Sequence, residues 1–341
     1  MAEVTRLEFD AGALRRWLSD LLGPEDRFEL SRISGGQSNP TFFLDWGDRR
    51  LVLRKQPPGP ILKGAHAVDR EHRVMAALAG TEVPVPPVLA FEADATVIGT
   101  PFYVMERVEG RVFGDAALPG LSPDERRGIY LSLAETLARL RNVRPEDVGL
   151  GDYGRPGDYF SRQMSRWGRQ LEQSASGGTP ELHRLRDWLE ANKPEDDGRI
   201  AISHGDFRVG NMLIHPTEPR VICVLDWELS TLGHPLADLG FCCMPWHTAS
   251  DEYGGALDLD RATLGIPSQQ EFVERYQAHA RDAGELTPFH TAFALFRFAV
   301  IFVGIADRAL AGTASDPKAE RLGPLAHRFA LRGLDTAQAA A

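Results

Sequence analysis

Residues 203–214 read Ser-His-Gly-Asp-Phe-Arg-Val-Gly-Asn-Met-Leu-Ile, the densest run of polar side chains in the sequence. Apolar residues at 200–202 and 212–214 flank it, which predicts a loop held between two strands. Asp206 stands first in the loop's chemistry, with Arg208 two residues later and Asn211 five residues on. A second acid, Asp226, ends the apolar run Val221–Leu225 and is followed by Trp227 and Glu228. An acid delivered by a strand sits on rigid backbone, a good mount for a metal-binding carboxylate. Phosphoryl transfer from ATP needs these parts: a carboxylate to take the proton of an attacking hydroxyl, oxygen ligands for magnesium, and a cation to offset charge on the moving group. Asp206 is the expected base and Arg208 the cation, with Asn211 and Asp226 as metal ligands. Asp and Asn also cap turns, but turn capping leaves the acid after the strand without a role. His204 is expected to brace the loop, and Asp238 to bond loop backbone or cap a helix.

The surrounding pattern divides into two regions. A helical stretch at 10–22 closes at Gly23-Pro24 and is followed by strand patterns at Phe28–Ile33, Thr41–Trp46 and Leu51–Arg54. Gly47-Asp48 signals a hairpin between the last two. A helix over Ala67–Leu78, an apolar segment at 88–91 and a strand at Pro101–Arg107 complete the first third. Beyond Gly110 helical patterns dominate, at 122–142, 158–175, 180–192, 235–244, 269–282, 288–310 and 317–334. The expected architecture is α+β, with a β-rich lobe over 1–108, a helical lobe over 109–341 and a cleft between them.

The Asp206-to-Asn211 spacing matches the D-x-x-x-x-N of the kinase catalytic loop. Together with Val224-Leu225-Asp226-Trp227-Glu228 and Gly233-His234-Pro235-Leu236-Ala237-Asp238, it makes the chain resemble the aminoglycoside phosphotransferase-like superfamily. The resemblance runs from about Leu30 to the final helices. The His-Gly-Asp-Phe-Arg-Val-Gly-Asn form of the loop is similar to the branch of kinase-like domains fused to acyl-CoA dehydrogenases. This implies a two-lobed protein-kinase-like fold that uses ATP and Mg2+ on a small-molecule hydroxyl acceptor.

The same resemblance gives roles to the first lobe. Gly35, Gly36, Gln37 and Ser38 stand where a phosphate-covering loop belongs, although Gly-Gly is also an ordinary hairpin turn. Aligning Leu51-Val52-Leu53 with the apolar triplet of V-A-I-K puts Arg54 at the phosphate-holding position, a departure from lysine, and a shift of register would bring Lys55 there instead. The residue left unused would be a solvated charge. Glu71 is the expected partner acid, with Asp69 its competitor as a first-turn charge. Backbone around Glu106 and Val108 would meet adenine, and Leu213 would floor its pocket.

Bulk properties narrow the class. The 341 residues are 43% hydrophobic and 25% charged, with net charge -10, which argues against nucleic acid as a partner. Cys223, Cys242 and Cys243 have neither metal-ligand nor disulfide spacing. The N-terminal residues lack a signal-peptide pattern, and the apolar stretch 292–306 is short for a membrane span and carries Arg297, so a buried helix and a cytoplasmic location without membrane partners are expected. A hydrolase using His204, Asp206 and Asp226 as ligands would lack a second histidine and leave Asn211 idle. A nucleotide-binding pseudokinase would need no base. A true aminoglycoside phosphotransferase would benefit from acids around a polycationic acceptor. Here Arg155, Arg162, Arg166, Arg169, Arg297 and Arg308 intersperse the acids, which suits an anionic or neutral acceptor such as a hydroxyacyl-CoA. Trp246, His247, Arg297, Asp307 and Arg308 are further residues that could face the acceptor, although each also reads as surface or core.

Overall fold

A computed structural model describes residues 8–33, 39–59, 66–312 and 322–339. The chain forms two compact units, one of residues 1–80, 84–109 and 225–228, the other of the remainder.

The first unit is built on a five-stranded antiparallel sheet of β1 (Phe28–Arg32), β2 (Thr41–Trp46), β3 (Arg49–Lys55), β4 (Val88–Glu92) and β5 (Phe102–Glu106), in the order β1-β2-β3-β5-β4. Gly47, at φ 56°, turns β2 into β3 so that Trp46 faces Arg49. Strand alternation then assigns the faces. Phe42, Leu44 and Trp46 of β2 bury with Leu51 and Leu53 of β3 and Phe102 and Val104 of β5. Helix α1 (Ala11–Leu22) covers them with Leu14 and Leu18. Asp10 caps α1 by accepting the Gly12 N–H at 2.8 Å. The opposite face carries Val52, Arg54, Tyr103 and Met105, and helix α2 (Val68–Leu78) packs near β4 and β5.

The second unit is mainly helical: α3 (Pro123–Asn142), α4 (Tyr159–Glu172), α5 (Pro180–Ala191), α6 (Pro235–Cys242), α7 (Arg261–Leu264), α8 (Gln269–His279), α9 (Pro288–Leu310) and α10 (Leu325–Gln338). Ser122 and Glu125 form a capping box at α3, with Pro123 in the first turn. Helix α9 is the apolar stretch noted in the sequence. It is long and apolar enough to cross a membrane, yet it lies inside the helical core, where Phe293, Phe296 and Val300 pack with Trp167, Leu185, Phe241 and Phe329. Two small antiparallel ribbons complete the unit: β6 (Ala201–Ser203) with β9 (Thr231–Gly233), and β7 (Met212–Ile214) with β8 (Val221–Val224). The sequence pattern assigned no element to the residues of strand β9. The last described helix begins at Leu325, just after Gly323-Pro324; residues 317–321 of the expected helical pattern lie outside the described residues.

Candidate active site

The polar loop leaves β6, turns through a short 3₁₀ segment at Val209–Asn211 and enters β7. Its backbone is held from behind. On α6, Asp238 accepts the His204 N–H at 2.7 Å and both the Gly205 N–H and the Ser203 hydroxyl at 3.0 Å. One helical turn further, Cys242 donates its thiol to the Phe207 carbonyl at 3.0 Å. From α9, Arg297 donates to the Gly205 carbonyl. His204 is fully buried, and its Nδ1 accepts the Asp206 N–H at 3.2 Å. Gly205 has φ 83°, and a Cβ there would come within 2.8 Å of the Leu229 carbonyl oxygen, so only glycine suits the position.

This scaffold leaves the Asp206 carboxylate to its own loop. Oδ2 accepts Asn211 Nδ2 at 2.7 Å and Arg208 Nε at 3.3 Å. Asn211 Nδ2 also donates to the Asp206 carbonyl at 2.8 Å, so both interactions use the amide nitrogen, and the amide oxygen is the atom of this side chain that could hold a hard cation.

The first unit gathers a second charged cluster. Arg54 Nε is ion-paired with Glu71 at 2.8 Å, without the alignment of a hydrogen bond. Arg54 Nη2 donates to Asp226 at 2.8 Å and lies 3.7 Å from Glu228. Glu71 is 1% exposed and also accepts Asn39 Nδ2 at 2.6 Å and the Tyr103 hydroxyl at 3.0 Å. Burial opposes the charge on Arg54, but Glu71, Tyr103, Asp226 and Glu228 outweigh it and raise its pKa above the ordinary arginine value. Burial also pushes the Glu71 carboxyl up, against the pull of Arg54. Asp226 adopts φ 64° two residues beyond β8. That left-handed conformation is tolerated by Asp better than by most side chains.

Of the residues singled out from the sequence, Asp206, Arg208 and Asn211 come together in the loop, and Arg54, Glu71 and Asp226 in the other cluster. Lys55 does not join them and is not the solvated charge expected. It shares the face of Leu51 and Leu53, is 2% exposed, donates to the Gln56 carbonyl at 2.9 Å and lies 5.9 Å from the Phe9 ring centre. Asp69 is exposed. Glu106 ends β5 with its N–H on the Pro87 carbonyl at 2.8 Å; Val108 is half-buried, and Leu213 is buried in β7 opposite Cys223. Gly35, Gly36, Gln37 and Ser38 lie outside the described residues. Arg297 reaches the back of the loop, Trp246 donates to the Pro267 carbonyl, His247 bridges Gln269 and Thr336, and Asp307 accepts the Ala175 and Ser176 N–H groups. Sequence reasoning missed Asn39, Tyr103 and Cys242, whose partners are remote in the chain. The alternation of β5 alone could have placed Tyr103 on the face of Arg54.

An antiparallel-sheet lobe with a helical region bearing this loop defines a kinase-like phosphotransferase fold. The model of the phosphotransferase enzyme family (APH) matches residues 29–264, and the chain belongs to that family. Acyl-CoA dehydrogenase family member 11 of Gallus gallus is 41% identical over 338 residues, covering 96% of this chain and 43% of that protein. The chain thus spans between 30% and 43% of the length of the curated relatives it matches. The crystal structure of a candidate aminoglycoside phosphotransferase from Ralstonia eutropha JMP134 superimposes with TM-score 0.88 at 42% identity, covering 98% of this chain and 99% of that one. The aminoglycoside phosphotransferase APH(4)-Ia, in ternary complex with AMP-PNP and hygromycin B, shares the fold at TM-score 0.62 and 15% identity, covering 97% and 99% of the two chains.

Proposed function

We propose that the chain transfers the γ-phosphoryl group of ATP to a hydroxyl of a small molecule. The observation that carries this reading is the Asp206 carboxylate, bonded to Asn211 and Arg208 on a loop whose backbone is fixed from behind. Asp206 takes the proton of the attacking hydroxyl as its oxygen bonds to the γ-phosphorus. The bond to the bridging oxygen breaks, and ADP leaves with that electron pair. Arg208 lies beside Asp206 and offsets charge on the moving group. Arg54, kept cationic by its carboxylates, meets nucleotide phosphate. The amide oxygen of Asn211 and the carboxylate of Asp226 suit magnesium, which would neutralise phosphate charge when bound.

For the acceptor, we propose a small anionic or acyl-CoA-linked hydroxyl compound. The relatives named acyl-CoA dehydrogenase family members carry a similar region within a longer chain, which supports this choice. ADP release should be measured with ATP and Mg2+ over hydroxyacyl-CoAs and kanamycin-type aminoglycosides. Higher kcat/KM for the hydroxyacyl-CoAs is expected; efficient turnover of an aminoglycoside with none of the acyl-CoAs would overturn the acceptor assignment. Absence of any metal-dependent ATP turnover, with folded protein and a broad set of hydroxyl compounds, would overturn the reaction.

A further inference from the structure

The helical unit contains a cavity of about 70 Å³, walled in part by Tyr130 and Leu133 of α3, Phe241 and Met244 around the end of α6, Phe298 of α9 and Phe329 of α10. Most polar side chains of the wall are already satisfied within the protein. The Tyr130 hydroxyl donates to the Ala116 carbonyl at 2.6 Å, and Thr248 donates to the Met244 carbonyl at 3.1 Å. The Cys242 thiol is spent on Phe207. Glu252 is 2% exposed and accepts the Ala249 N–H together with Arg328 and Arg332 of α10. A polyol entering such a space would leave hydroxyls without partners, whereas methylene groups would not. None of Arg155, Arg162, Arg166, Arg169, Arg297 and Arg308 lines it. The cationic wall residue is Arg208, hydrogen-bonded to Asp206.

Tyr253 completes the rim. Its φ of 64° lies in the left-handed region that a bulky side chain rarely adopts. The bonds of Glu252 to α10 hold the neighbouring backbone, and the Tyr253 ring packs on Phe298 and Phe302 at 5.7 and 5.3 Å. Its centre lies 5.4 Å from the Arg208 guanidinium carbon. An unfavourable backbone conformation thus places an aromatic ring in the cavity wall, beside the residue that pairs with Asp206.

We propose that this cavity is a binding site for an unbranched alkyl segment, with Tyr253 as the side chain at its rim. At roughly 10–15 Å³ for each water-sized occupant, the space takes on the order of five chain atoms. The assignment of that segment to the phosphoryl acceptor rests on the proposed reaction; the binding itself does not. Affinity for straight-chain alkanols should rise about fourfold per methylene until the cavity is filled and then level off.

The test follows the shift of the 13C-labelled Met244 methyl as propanol through nonanol and glycerol are titrated into the whole chain. Leu133→Phe, which fills the cavity, should abolish the rise with chain length. Phe329→Leu, which enlarges it, should move the plateau to longer alkanols, and provides the check should Leu133→Phe misfold. Affinity independent of chain length, or glycerol binding as well as hexanol, would overturn the proposal. ADP release measured in parallel separates the two claims. Length-dependent alkanol binding without phosphoryl transfer to any hydroxyl compound would support the site and sink the reaction. Transfer to polyols unaffected by Leu133→Phe, without alkanol binding, would support the reaction and sink the site.

Discussion

Glu71 and Asp206 are carboxylates held in opposite ways. Glu71 is gripped at its side chain by Arg54 from β3, Tyr103 from β5 and Asn39, all brought in by the fold. Asp206 is contacted at its carboxylate by Arg208 and Asn211, from its own loop, while the distant partners Asp238, Cys242 and Arg297 attach to loop backbone or to the neighbouring Ser203 hydroxyl. Glu71 therefore has a position tied to the charge of its partners. The position of Asp206 is set by backbone, so its carboxylate can be altered without loosening the anchors behind it.

The largest effect should come from removing the anchor. Asp238→Ala leaves the buried Ser203 hydroxyl and the His204 and Gly205 N–H groups without their acceptor. A loss of about 3–5 kcal/mol in urea denaturation is expected, since three buried donors lose their acceptor at once, at about 1–3 kcal/mol each. Phosphoryl transfer should fall with it. A variant of unchanged stability and turnover would show that the loop is held by something else.

Asp206→Asn probes the other half of the contrast. It keeps the shape of the side chain and the anchors behind the loop, so stability should stay within about 0.5 kcal/mol of the parent. Turnover should nevertheless drop by ~10²-fold or more, about 2.7 kcal/mol of barrier, because an amide cannot take the hydroxyl proton. Normal turnover by a folded Asp206→Asn protein would remove Asp206 from the role of base.

The loop was legible in the sequence because its signals are local. The apolar triplets on either side became β6 and β7, the spacing of Asp206, Arg208 and Asn211 became a bonded cluster, and Asp238 bonded loop backbone as its place in the motif implied. Arg54 was reached by aligning one strand with a pattern. What escaped depends on contacts distant in sequence. Strand β9 is too short to show a period and exists by pairing with β6. Cys242 and Tyr253 have roles defined by what packs against them, and neither residue type signals that. Lys55 failed for a different reason: its charge suggested solvent, but alternation after Leu51 and Leu53 required the core face.

Arg54→Lys sharpens the contrast on the Glu71 side. One guanidinium spans Glu71 and Asp226, and an ammonium on a flexible stem cannot reproduce that fork. The KM for ATP should rise about tenfold, equivalent to ~1.4 kcal/mol, with a smaller effect on kcat. Isothermal titration with ATP, with and without Mg2+, would check that the change lies in nucleotide binding. Parent-like affinity in both conditions would show that Arg54 serves only to neutralise Glu71.

The smallest effect is expected one residue away, at Lys55→Met. Lys55 is buried among the residues under α1, where its ammonium donates to the adjacent Gln56 carbonyl and burial lowers its pKa. Methionine matches its length and apolar stem, gives up one hydrogen bond and removes the cost of enclosing a charge. These terms oppose each other, so stability should remain within about 1 kcal/mol of the parent. Because the side chain lies on the sheet face opposite Arg54, the KM for ATP should change less than twofold. Truncation to alanine is the wrong control, since a cavity under α1 would lower stability for reasons unrelated to charge. If Lys55→Met raised the KM for ATP as much as Arg54→Lys does, the strand would present Lys55 to the nucleotide. The division of β3 into a packing face and a phosphate face would then fail.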